Sequence, residues 1–399
     1  MRRLALNLAV AAVAVIVALC FAEIALRLVV PPTRGYFVLV PGREWTVHTP
    51  PGLLPGVPPT AHAQVNQLGI RGRLFGADTS EYRVLVVGGS TTQCAVLDDS
   101  LVWTHLLEGA LGHTSDSRSV WVGNVGRDGA TTRDHVLHLK YLLPQYPRID
   151  AVIALVGVND MISALRQGTN YWPPDSVTAP AGERQQMSHA FIFVPGRIQD
   201  AVGGGQRHEP WYKATALWQL ARRVKFARDM HRTFRLENEG ARLLEEARHR
   251  RATAAHWVDT VPPLERPLVE YRRNLNAMVD HARAAHARLI FITQPVLWRP
   301  EMPPAIAHLL WFGWIGAERA HAESYYTSGA LYRAMTAYND VLLDVCRARN
   351  VECIDAARAL PPDTTTFYDD VHFNAHGSAT LARLLETYLR ARPPFMGHE

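Results

Sequence analysis

No pair among the four cysteines, Cys20, Cys94, Cys346 and Cys353, shows the Cys-x-x-Cys spacing of a zinc or redox site. Strong charge of either sign is also missing. The formal net charge is +5, an excess too mild to point to nucleic acid. Nearly all the basic residues are arginine, and a moderately cationic surface of this kind suits anionic polymers or lipid headgroups. There is no internal repeat. What is present is a chain of 399 residues, 48% hydrophobic and 20% charged, enough for a full core in one large domain or two small ones.

Charge is absent altogether from Leu4 to Ala22, an apolar run broken only by Asn7 and preceded by Arg2 and Arg3. Its length is close to the ~20 residues a helix needs to cross a bilayer. Arginines ahead of it favour a cytoplasmic N-terminus, which puts the rest of the chain outside. A cleaved signal peptide is the rival reading, but no clean small-x-small site follows the run. Val17-Ala18-Leu19-Cys20 resembles a lipobox, with the bulky Leu19 against it. Glu23 and Arg27 are spaced to pair on a continuing helix, which Pro31 and Pro32 end. Residues 1–30 thus read as a signal-anchor helix, and 31–80 as a Pro/Gly-rich tether or irregular wrap.

Five short apolar runs read as buried strands: Arg83–Val87, Val120–Val125, Ala151–Val156, Arg288–Thr293 and Val351–Ile354. Helical spacing runs over Thr131–Leu143, ending before Pro144, and over Leu331–Arg349 and Gly377–Arg392. Strands of this kind separated by helices imply a parallel sheet covered on both faces. About 130 residues separate the third and fourth strands, far more than an ordinary crossover needs. Residues 163–283 read as an insertion or lid, mostly helical from Trp211 onward. Its Arg-rich stretch, Arg222–Arg251, fits an interfacial helix or a solvated helix face. Cys346 and Cys353 flank a helix-to-strand connection, and the sequence leaves open a disulfide or two reduced packing cysteines.

Four features carry chemistry. Ser90 follows a strand directly, in Gly88-Gly89-Ser90-Thr91-Thr92, where ligands bind in open α/β sheets. On its own that serine reads first as an ordinary helix N-cap. Asp369-Asp370-Val371-His372 offers an imidazole to accept a serine proton and a carboxylate to orient the imidazole. Asp370 and His376 are nearby competitors, and Asp370 could simply cap the following helix. Asn159, in Gly157-Val158-Asn159-Asp160, brings a side-chain N–H donor to a developing oxyanion. Gly129, in Asn124-Val125-Gly126-Arg127-Asp128-Gly129, brings a backbone N–H. Turn chemistry explains the last two features equally well when each is read alone. Taken together they supply nucleophile, base, orienter and oxyanion donors at one sheet edge, the set that acyl transfer needs.

In this order the motifs resemble those of the SGNH (GDSL-type) hydrolases, over residues 82–160 and 287–393. Ser90 matches the nucleophile block, Gly129 the second, Asn159 the third, and Asp369 with His372 the terminal Asp-x-x-His. The first block departs from the usual Gly-Asp-Ser-Leu by reading Gly-Gly-Ser-Thr, a variant similar to that of bacterial membrane-anchored members. The Gly-x-Ser-x-Gly elbow of α/β-hydrolases is absent. The resemblance implies a flavodoxin-like α/β/α sandwich with a five-stranded parallel sheet over residues 81–393. It implies a Ser90–His372–Asp369 triad, with Ser90, Gly129 and Asn159 forming the oxyanion hole and no metal or organic cofactor. The expected substrate is an O-acyl, particularly O-acetyl, group on extracytoplasmic carbohydrate, because Trp172, Trp211, Trp218, Trp298, Trp311 and Trp314 could stack on sugars. Lipid esters, thioesters, acyl transfer to a polysaccharide, and a non-catalytic role in polysaccharide assembly are the alternatives.

Overall fold

The computed structural model describes residues 2–29, 35–76, 80–192, 215–218, 220–221 and 237–396. They fall into two units, residues 1–35 with 193–236 and residues 36–192 with 237–399. In the first unit, helix α1 (Arg2–Val29) is continuous. Its stretch Leu6–Leu28 is long and apolar enough to cross a bilayer, and its large side chains are exposed. Glu23 pairs with Arg27 at 2.7 Å, as their spacing implies, and also accepts the backbone N–H groups of Ala216 and Leu217. Trp211 and residues 222–236, half of the Arg-rich stretch, lie outside the described residues.

In the larger unit the elements run β1 (Glu44–His48), β2 (Thr60–Gln64), β3 (Tyr82–Gly88), α2 (Trp103–Leu111), β4 (Val120–Asn124), α3 (Thr132–Gln145), β5 (Ala151–Leu155), α4 (Val158–Gln167) and α5 (Pro180–Ala190). They continue with α6 (Glu237–Ala252), β6 (His256–Val258), α7 (Glu265–Ala284), β7 (Arg288–Ile292), β8 (Ser324–Tyr326), α8 (Ser328–Arg349), β9 (Glu352–Ile354) and α9 (Ala375–Arg390). The sheet has five parallel strands in the order β4-β3-β5-β7-β9. That is the doubly wound, flavodoxin-like order. Every residue of β3, β4 and β5 is buried, which is why these strands read as continuous apolar runs rather than alternating ones.

Helices cover both faces. On one side α2 packs against α9, and on the other α7 packs between α3 and α8, with α5 lying on α3. Helix α7 falls within the span 163–283 assigned to an insertion from the sequence, yet it sits in the layer as an ordinary crossover helix ahead of β7. The registers Gly88↔Leu155 and Leu155↔Ile292 align the carboxyl ends of β3, β5 and β7. The loops that follow them therefore leave the sheet at one edge.

Two local features differ from the sequence-based expectation, and a third resolves an alternative that the sequence left open. Helix α3 runs past Pro144 to Gln145. A proline in the last turn forfeits one backbone bond, and the turn closes instead through Tyr146 N to Leu142 O. Residues 36–76, read as tether or wrap, contain the antiparallel pair β1–β2 and a segment whose Arg71 exchanges backbone hydrogen bonds with Asn124 at the end of β4. Cys346 in α8 and Cys353 in β9 form a disulfide, with their Cα atoms 6.1 Å apart, an ordinary separation for such a bond.

Candidate active site

The chain leaves β3 through Gly88 and Gly89 and enters a single helical turn, Ser90–Gln93, whose N-cap is Gly89. Ser90 is thus the first residue of the turn rather than its cap. It meets His372 instead, with Oγ 2.8 Å from Nε2. The turn is anchored from several sides. Arg71, buried to 3% exposure, donates to the carbonyls of Gln93 (2.5 Å), Cys94 (2.9 Å) and Leu97 (2.6 Å) and pairs with Asp99. Asn124 Nδ2 donates to Thr92 O at 2.7 Å, and Trp103 Nε1 to Thr91 O at 3.2 Å.

His372 Nδ1 faces both oxygens of Asp369, at 2.9 and 2.8 Å. The three-residue spacing folds into a tight loop in which the backbone N–H groups of Val371 and His372 also donate to Asp369 Oδ1. The other carboxylate oxygen accepts the indole N–H of Trp311 at 3.0 Å. Burial raises the Asp369 pKa, but the His372 charge and these hydrogen bonds outweigh it and hold the carboxyl below its ordinary value. For His372 burial disfavours the imidazolium, and Asp369 outweighs that too, so its pKa lies above the ordinary histidine value.

Asp370 plays neither of the parts considered for it. It is buried and accepts from Trp298 Nε1, Trp311 N and Phe312 N, which fastens the 311–312 segment over the Asp369–His372 loop. Burial and the Asp369 charge push its pKa up to about 6. The cap of α9 is Asn374, whose side chain accepts from Gly377 N. His376 is exposed and bonds Thr365 O, away from Ser90.

Asn159 and Gly129 come to the same place. Asn159 Nδ2 donates to Ala130 O at 2.8 Å, which ties the start of α4 to the 127–130 turn. That turn is tied in its own right to the Ser90 segment by Arg127 N to Gly88 O and Asp128 N to Gln93 Oε1, both 3.0 Å. Gly129 has φ +71°, a left-handed conformation that glycine adopts without strain. A Cβ at position 89, where the family's usual block has aspartate, would lie 2.4 Å from Asn159 Nδ2, so a side chain there would require the Asn159 amide to shift.

Sequence reasoning missed Arg71 and the indole contact of Trp311, because each depends on chain segments distant in sequence. Of the tryptophans considered for sugar stacking, Trp298 (1% exposed) and Trp314 (6%) are buried, whereas Trp172 is exposed. Trp311 is half-buried in a ladder with Phe312 and Trp314.

Comparison with known proteins bears on the same segments. A family model described as the GDSL-like Lipase/Acylhydrolase family matches residues 86–380. No curated protein matches. Similar solved structures include Axe2, an acetylxylan esterase from Geobacillus stearothermophilus, at 15% identity and TM-score 0.37, covering 76% of this chain and 92% of that one. LAE5, an alpha/beta hydrolase enzyme from the metagenome of Lake Arreo, has 14% identity and TM-score 0.37, covering 77% and 95%. TesA has 14% identity and TM-score 0.38, covering 77% and 98%. With the family match spanning Ser90, Gly129, Asn159, Asp369 and His372 alike, the chain belongs to the GDSL-like lipase/acylhydrolase family and is a serine ester hydrolase.

Proposed function

We propose that Ser90 is the nucleophile of a Ser90–His372–Asp369 triad and that the enzyme removes O-acyl groups, acetyl above all, from carbohydrate outside the cytoplasm. The observation that carries the triad is the continuous line from Ser90 Oγ through the two nitrogens of His372 to Asp369. His372 Nε2 takes the hydroxyl proton as Oγ attacks the ester carbonyl, and Asp369 stabilises the imidazolium that results. The tetrahedral oxyanion is met by the backbone N–H groups of Ser90 and Gly129 and by Asn159. As the first residue of a helical turn, Ser90 has an N–H with no intrahelical acceptor. Asn159 has two amide hydrogens, and Ala130 O engages one of them. His372 returns its proton to the departing alcohol, and water then releases the acid from the acyl-enzyme.

The carbohydrate and its location rest on separate support. Helix α1 suits a membrane anchor with the larger unit on the outer side, and the Cys346–Cys353 disulfide fits an oxidising compartment. Axe2 is an acetylxylan esterase, which suggests an acetylated-sugar substrate class to test.

The test uses the full-length chain in neutral detergent micelles. A fluorophosphonate probe should label wild type and fail to label Ser90→Ala, and acetate release from acetylated oligosaccharides should exceed hydrolysis of long-chain esters. An unlabelled Ser90 removes the nucleophile, and a preference for long acyl chains removes the carbohydrate.

A further inference from the structure

We infer that Arg166 and Arg319 form an anion subsite beside Ser90, so that the acyl-bearing carbohydrate is an acidic one. This deepens the proposed function and rests on its reading of Ser90 as the site of reaction.

The two guanidiniums lie along an aromatic ladder that begins at the Asp369–His372 pair. Trp311, whose indole N–H is bonded to Asp369, lies nearly parallel to Trp314, with ring centroids 6.4 Å apart. Arg319 sits over Trp311 at 5.0 Å and over Trp314 at 5.8 Å, and Arg166 lies on Trp314 at 3.8 Å. Arg166 also belongs to the oxyanion side of the site. It lies seven residues after Asn159 on α4, which places it on the same helix face roughly 10 Å along. One cation therefore comes from the helix that carries Asn159 and the other from the loop that carries Trp311.

Neither arginine is neutralised. Among the described residues, no carboxylate lies within salt-bridge distance of Arg166 or Arg319, and Arg166 Nε is buried without a hydrogen-bond partner. Most other half-buried arginines of the larger unit do have carboxylate partners, as Arg118 has Asp116 and Arg288 has Glu352. Burial first, and the Arg319 charge second, bring the Arg166 pKa down to about 10, with Asp128 opposing. Arg166 therefore stays charged at neutral pH. Two like charges held together in partly desolvated surroundings are relieved by an anion between them. A guanidinium stacked face-on against indole keeps its in-plane N–H donors free, the arrangement that receives a carboxylate or phosphate. Exposed carboxylates here are Asp128, whose field reaches both Arg166 and His372, and Glu318, which precedes Arg319 in the chain and lies 3.4 Å from His321 Nε2. They work against anion binding but form no ion pair that would occupy either arginine.

The ligand is then a glycan whose carboxylate lies close to its acetyl group, as in an acetylated polyuronate. In a kinetic experiment, the full-length enzyme in neutral detergent micelles is given acetylated oligogalacturonate, acetylated xylo-oligosaccharide and p-nitrophenyl acetate. Wild type should prefer the uronate. Arg166→Gln with Arg319→Gln should lower kcat/KM for the uronate at least tenfold more than for the two neutral esters, chiefly through KM. Arg347→Gln, an exposed arginine elsewhere, serves as the control. Equal losses on all three substrates, or no preference in wild type, would overturn the inference. A binding experiment removes the dependence on turnover. The Ser90→Ala chain should bind oligogalacturonate by calorimetry, at least tenfold more weakly once both arginines are replaced. If wild type hydrolyses no ester while this binding remains, the reading of Ser90 fails and the subsite stands. Arginine-dependent binding to phosphatidylglycerol vesicles without binding to oligogalacturonate would assign the arginines to a lipid surface and overturn the acidic glycan.

Discussion

The chemistry of the site turns on the balance between burial and pairing at His372. Burial alone would depress its pKa, and the Asp369 carboxylate reverses the sign. In the proposed triad the neutral ring is the form that accepts the Ser90 proton, so kcat/KM should rise with pH. Its half-maximal point should lie above the ordinary histidine value of about 6.5. Asp369→Asn removes the cause that raises the pKa and leaves burial. The midpoint should move down, and kcat should fall by about 10⁴-fold, the order expected when the orienting carboxylate is lost. A pH–rate profile of p-nitrophenyl acetate hydrolysis for both proteins checks both claims, and a wild-type midpoint at or below the ordinary value would contradict the first. The indole of Trp311 acts one bond further out. Its N–H favours the charged form of Asp369. Hydrogen bonds to charged groups are worth about 1.5–3 kcal/mol, so Trp311→Phe, which keeps a ring in the ladder, should lower kcat roughly tenfold and leave KM nearly unchanged. A rise in KM of the same size would mark Trp311 as a substrate contact instead.

At the scale of elements, the Ser90 turn depends on a segment that lies before the sheet in sequence. Arg71 fastens three carbonyls of residues 93–97, and its own backbone pairs with Asn124 at the end of β4. Arg71→Met keeps the bulk and strands those carbonyls. The cost should be about 3 kcal/mol, since each buried acceptor left unsatisfied costs roughly 1–3 kcal/mol and solvent takes up part of the deficit. Urea denaturation measures this, and a loss below about 1 kcal/mol would show that the segment only lies alongside the turn. The same segment shows where the sequence stopped being readable. The sheet strands were legible because burial on both faces demands unbroken runs such as Val84–Val87. β2, Thr-Ala-His-Ala-Gln, buries only its two alanines and carries little β-forming signal. Ser90, Asn159 and the Asp369–His372 pair were legible because their spacing and their places after strands are local properties. The Trp311 contact spans 58 residues and that of Arg71 more than 20, so nothing in their own neighbourhoods announces either one. Asp370 gave no sign of its contacts for the same reason. The backbone and indole donors that occupy it come from the 298–312 region, out of sight of its own motif.

For the whole molecule, the proposed outward placement of the larger unit makes a prediction that the cysteines can test. Cys346 and Cys353 are joined, while Cys20 is exposed on α1 and Cys94 is buried beneath the Ser90 turn. Burial pushes the Cys94 thiol up to about 12, so in the folded protein it should resist alkylation. Alkylation of the chain extracted from its native membrane into denaturant therefore distinguishes the two topologies. If the larger unit faces an oxidising compartment, only Cys20 and Cys94 should react before reduction, and all four cysteines after it. If it faces the cytoplasm, all four should react at once. Reporter fusions give the orientation independently. Alkaline phosphatase fused after Glu399 should be active, and a reporter that works only in the cytoplasm should be silent. Agreement of the two readouts would place the Ser90 edge of the sheet on the side where surface carbohydrate is found. Four free thiols together with an active cytoplasmic reporter would instead leave the hydrolase facing metabolites, and the acidic-glycan substrate would have to be abandoned along with the outward orientation.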